Sequence, residues 1–96
     1  MPGVPEADFE RAFTAGLDVA AAERCGAPVD AGLVRYNLVE DAKRRGLPAG
    51  QADKAGVAFD KTRAEYSQRL QADPSFCATG YTPVPERLAL YQKGEF

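Results

Sequence analysis

The sequence predicts an all-α fold: an antiparallel bundle of three long helices plus a short C-terminal helix, stapled by one disulfide. Three observations carry this. Apolar residues recur at helical spacing in three long stretches, and no stretch alternates as a strand does. Each of these stretches closes on Gly or Pro. Two cysteines, Cys25 and Cys77, stand at two of those closures in a chain of 96 residues that has no histidine. Alanine is abundant along the whole length, which favours helix. A chain of this size makes one domain, residues 1–96.

The first helix is expected from about Pro5 to Arg24. Pro5 suits a first helical turn, and Glu6, Asp8 and Glu10 complement the positive end of the helix dipole there. Phe9, Phe13, Leu17 and Ala20–Ala21 form its apolar stripe, and Gly26 followed by Pro28 stops it. The second helix is expected from Ala31 to about Arg45, with Asp30 as N-cap and Val29 and Val34 spaced as a hydrophobic staple. Lys43, Arg44 and Arg45 load its last turn, and Gly46-Leu47-Pro48 ends it. The third helix is expected from about Gln51 to Ala72. Ala52, Ala55, Phe59, Thr62, Tyr66 and Leu70 share one face, Lys61 and Glu65 are spaced as an ion pair, and Asp73-Pro74 is the stop. Residues 75–84 read as an irregular loop. A short helix then runs from Pro85 to Gly94 with Leu88 and Tyr91 inward.

Short connections make sequential helices antiparallel neighbours. The ends of the first and third helices then fall at one pole, where both cysteines lie. Two buried thiols would act as small hydrophobes. The even count, the short chain and the corner positions favour a disulfide, and hence an oxidising compartment. Closing so long a loop stabilises a domain by roughly 4 kcal/mol. A metal on these two sulfurs has no CxxC and no histidine to complete it.

Composition excludes more than it selects. Net charge is −2, so there is no electrostatic footprint for nucleic acid. No apolar run approaches the roughly 20 residues that span a bilayer, so no membrane insertion is expected. Residues 1–6 have neither the basic nor the apolar region of a signal peptide, which leaves a cytosolic protein or a mature, trimmed one. Without histidine no Ser-His-Asp or Cys-His arrangement exists, and no phosphate-binding glycine loop or HExxH is present. An enzyme is not expected.

Carboxylates remain. The up-down-up arrangement brings Glu6, Asp8, Glu10, Glu40, Asp41 and Asp53 to the opposite pole. Hard cations such as Ca²⁺ or the lanthanides take several carboxylate oxygens and no soft ligands. Glu6 and Glu10 are a like-charge i, i+4 pair, unfavourable unless a cation sits between them. The candidate metal residues are therefore Glu6, Glu10, Asp53 and one of Glu40 or Asp41. Asp8 faces another side. The competing reading is a solvated surface, with Glu40–Arg44 and Asp41–Arg45 as ordinary helix ion pairs and Lys43 and Lys54 diluting the field. No EF-hand loop is present. With so few ligands, dimerisation would complete a metal's shell. Tyr36, Tyr81, Tyr91 and Phe96 are candidates for an exposed aromatic patch that would mark a protein partner. Alternatively, three of the four cover the core.

The run from Ala22-Glu23-Arg24-Cys25-Gly26 through Phe59-Asp60-Lys61-Thr62-Arg63 to Phe76-Cys77 resembles the small exported helical proteins of alphaproteobacteria. Among these it is similar to the LanD-type periplasmic lanthanide-binding proteins of methylotrophs. That resemblance rests on size, the cysteine pair and the helical pattern over most of the chain. It implies a periplasmic location, lanthanide binding at an exposed carboxylate site, metal-bridged homodimers and contact with a metal-binding protein such as lanmodulin. A further likeness is to HdeA-type acid chaperones, which would imply an interaction module without metal.

Overall fold

A computed structural model describes residues 4–79 and 85–96. Among these the chain is all-α, with five helices and no strand: α1 (Glu6–Arg24), α2 (Ala31–Arg44), α3 (Ala49–Gln71), α4 (Phe76–Thr79) and α5 (Pro85–Lys93). Three of the helix ends are set by glycine at positive φ, Gly26 at 76°, Gly46 at 101° and Gly94 at 88°. At Gly46 the N–H bonds the Lys43 carbonyl at 3.0 Å and the next N–H, of Leu47, bonds the Ala42 carbonyl at 3.0 Å. This is the Schellman closure that satisfies the last carbonyls of a helix. Asp30 caps α2 by accepting from the Leu33 N–H at 3.0 Å.

α3 begins two residues earlier than its apolar pattern suggests. Pro48, at φ −57°, serves as N-cap, and its carbonyl accepts from Gln51 and Ala52 at 3.0 Å each. The fixed φ of proline starts the helix before the first buried residue, Ala52, is reached. The expected 75–84 loop contains α4, and residues 80–84 lie outside the described residues. Lys61 and Glu65 form no ion pair among the described residues.

The main packing is α1 on α3, and it corrects the reading of α1's face. Phe13 is 44% exposed and Leu17 is half-buried, whereas Ala12, Ala15, Val19 and Ala22 are fully buried. Small residues win this face because they let two helix backbones approach closely. A Cβ at Gly16 would lie 3.0 Å from Thr62 Cβ and 3.1 Å from the Phe59 carbonyl oxygen. Phe13 and Leu17 are thereby left on the rim. On α3 the expected face holds, with Ala52, Ala55, Phe59 and Leu70 buried.

Contacts along α1 and α3 advance together, from Gly16 beside Thr62 to Arg24 Nε, which donates to the Leu70 carbonyl at 3.2 Å. Contacts along α2 and α3 run in opposite senses, with Arg35 on Asp60 at 2.7 Å and Val39 against Gly56. α5 is tied to α2 by Asn37 Nδ2, which donates to the Tyr91 and Gln92 carbonyls at 3.3 and 3.0 Å. Leu88 and Tyr91 join the main core with Val19, Val34, Leu38 and Phe59. A separate cluster of Ala21, Leu70 and Phe76 closes the carboxyl end of α1. There Cys25 and Cys77 form the expected disulfide, their Cα atoms 5.5 Å apart. None of the helices among the described residues is long and apolar enough to cross a membrane.

Candidate functional site

The first turns of α1 carry three acids, and the fold treats them differently. Asp8 faces inward and is only 4% exposed. Arg45, at the end of α2, reaches across to form an ion pair with Asp8 and another with Asp41 at 2.9 Å. Burial pushes the Arg45 guanidinium down, but its hydrogen bonds to Asp41 and Asp8 outweigh this and hold it above its ordinary value. Because the folded-state value is raised, the arginine proton contributes stability that is lost as pH rises through the folded value; the pairing itself lasts only while its carboxylates are ionised. The same holds for Arg63, which is held up by a bidentate bond to Glu23 at 2.7 Å.

Asp41 also meets Arg44 at 3.6 Å, and Glu40 is bound by Lys43 at 3.3 Å. Arg44 was the expected partner of Glu40; the i, i+3 lysine takes that place. Glu40 and Asp41 are therefore partly neutralised. Glu6, Glu10 and Asp53 are exposed and make no ion pair among the described residues. Glu10 borders a shallow cleft of about 320 Å³ with Arg11, Thr14, Tyr91 and Phe96. Among the described residues no group of three or more acids, cysteines or histidines converges to hold a metal ion. The five candidate residues are thus not gathered into one cluster within a single chain.

The aromatic candidates also separate. Tyr36 is 62% exposed. Tyr91 is buried, as its inward place on the short C-terminal helix predicts, so it is no part of an exposed patch; its ring joins the main core and Phe96 stacks on it at 5.3 Å. Tyr81 lies outside the described residues. A feature that the sequence reading missed is a cleft of about 330 Å³ between α1 and α3, where Phe13, Leu17 and Tyr66 line one part and Thr62, Glu65 and Arg69 the rest. An adjoining hollow of about 270 Å³ continues it past Leu17 and Tyr66 to Asp18 and Arg87.

Asp18 is the second unanticipated residue. It is 4% exposed in mid-helix, and both its oxygens accept from Arg87 of α5 at 2.8 Å; Tyr91 Oη donates to one of them as well. A lone acid in the apolar run Ala15–Ala22 was the signal that could have found it. Asp18→Ala should destabilise the chain by about 3 kcal/mol, because it removes charge-assisted bonds and strips the buried Tyr91 hydroxyl of this acceptor. Urea unfolding monitored by circular dichroism measures that loss. Asp18→Asn should recover part of it, since the amide oxygen still accepts one hydrogen bond.

Among the described residues these side chains define a small all-helical, disulfide-closed chain with carboxylates lacking a cationic partner at one end and a cleft with apolar and charged walls along one flank. No protein-family model, curated protein or solved structure matches the chain.

Proposed function

We propose that this chain is a periplasmic, non-enzymatic binding protein for hard, oxygen-seeking cations, lanthanide ions first and Ca²⁺ second. In this reading the helices form an antiparallel three-helix bundle with a short C-terminal helix, and Glu6 and Glu10 supply metal-binding oxygens from one face of α1. The observation that supports it is the contrast among the acids of this end. Asp8, Glu40 and Asp41 each have a cationic partner, while Glu6, Glu10 and Asp53 have none among the described residues. A paired carboxylate must lose its partner before it can ligate an ion; a free one need not. Two glutamates fall short of the 6–8 oxygens that such ions take. A second copy of the chain, or a metal-binding protein such as lanmodulin, would complete the shell. Asp53 is the next ligand in line, and Glu40 and Asp41 would join only by exchanging their partners.

The test is calorimetry of the disulfide-intact chain with La³⁺ and Ca²⁺ in parallel, with light scattering to follow mass. Saturable La³⁺ binding with a rise toward a dimer is the expected result. Glu10→Gln should remove that binding while leaving the thermal midpoint nearly unchanged, because Glu10 is exposed and makes no ion pair among the described residues. Absence of heat with either ion would sink the metal reading.

A second reading is a protein-interaction or chaperone-like module without metal. It is favoured by Phe13, a large apolar side chain left 44% exposed at the α1–α3 cleft. Phe13→Ser separates the two readings: it should spare La³⁺ binding and weaken capture of an apolar client peptide.

A further inference from the structure

The carboxyl end of α1 carries a device that neither reading uses. α4 is four residues long, far too short to persist alone in water. Among the described residues two contacts hold it. Phe76 is buried against Ala21 and Leu70, with its ring edge-on to Tyr66 at 6.4 Å. The other contact is the bond between Cys77 and Cys25. Cys77 is solvent-exposed, whereas Cys25 sits half-buried at the C-cap of α1. The main core, built around Phe59 and Leu38, is a separate cluster. The turn before α4 has its own anchor, since Arg24 donates to the carbonyls of Leu70 and Asp73 at 3.2 and 3.4 Å.

We propose that the Cys25–Cys77 disulfide is a reducible clasp. Reduction by a dithiol releases α4 and Phe76 from the end of α1 and α3, while the rest of the bundle stays folded. Opening bares the face of Tyr66 that Phe76 covers, and Tyr66 also lines the cleft beside Phe13 and Leu17. The clasp therefore sets how much apolar surface the flank presents.

The chemistry is thiol–disulfide exchange. A thiolate of the dithiol attacks the sulfur of Cys77, the more exposed of the two residues, and the S–S electron pair leaves on Cys25, which takes a proton. The second thiol of the reductant attacks the mixed disulfide, freeing Cys77 as a thiol. Two electrons pass to the chain, and the dithiol ends as a disulfide.

The experiment is treatment of the full chain with millimolar dithiothreitol at neutral pH without denaturant. Thiols are counted by alkylation and mass, and structure is followed by proton NMR and amide exchange. Expected are two alkylated cysteines, loss of the Tyr66–Phe76 ring cross-peak and at least roughly tenfold faster exchange at residues 76–79, with Leu38 and Phe59 amides still protected. Reoxidation should restore the cross-peak. Any of three results overturns the proposal: a disulfide that resists reduction until the chain is denatured, a cross-peak that persists in the reduced chain, or one cooperative collapse of all protection on reduction. C25S/C77S, which cannot re-form the bond, must reproduce the reduced spectrum; if it does not fold, the clasp is not local and the proposal fails.

Discussion

Replacing both cysteines with serine, C25S/C77S, is expected to lower unfolding free energy by about 4 kcal/mol. The bond spans 52 residues of sequence, so cutting it frees a long loop in the unfolded chain. In a domain of this size the same loss moves the thermal midpoint down by roughly 20 °C. The variant should still fold at 25 °C, because the main core and the Asp18–Arg87 pair lie outside the cluster that the bond closes. Thermal unfolding of the oxidised chain and the variant, side by side, gives the number. A loss under 1 kcal/mol would mean that the unfolded chain keeps these ends together without the bond.

Phe59→Ala is expected to cost a similar amount, about 4 kcal/mol. Phe59 is 1% exposed and is the largest of the fully buried side chains. The core cluster it belongs to is rich in alanine (Ala12, Ala15, Ala22 and Ala58), whose short side chains cannot extend into the space it leaves. The backbones of α1 and α3 already touch at Gly16, so the helices cannot draw closer to fill it. Urea midpoints for Phe59→Ala and Phe59→Leu test this. The leucine variant, which keeps most of the volume, should lose no more than about 1.5 kcal/mol. Equal losses for the two would show that the site relaxes and that the alanine lining is not rigid.

The helix ends were legible in the sequence because their signals are local. Asp30 three residues before the Leu33 amide, and Gly46 followed by Leu47, need only their own neighbours to act. The disulfide was legible because the cysteines are two in number in a short chain and follow the stop signals of the first and third helices. The face of α1 was legible only in part: Ala20 and Ala21 are buried as expected, but size and hydrophobicity also pointed to Phe13 and Leu17 while close helix approach selected Ala12, Ala15 and Ala22. At the carboxylate end, Arg45 could be matched to Asp41 from an i, i+4 spacing, but its reach to Asp8 depends on where α2 ends against α1. Asp18 and Arg87, 69 residues apart, have no spacing that announces them.

By itself the sequence determined the all-α class, most of the helix ends though not the start of α3 or the presence of α4, the cysteine bond and the absence of imidazole chemistry. All of these follow from residue type and from interactions within a few positions. Only the tertiary structure decided which acids lack a cationic partner among the described residues and that Phe13 opens a cleft. The physical reason is that partners for buried charge and room for large side chains are set by how closely two helices pack, and small residues distant in sequence fix that distance.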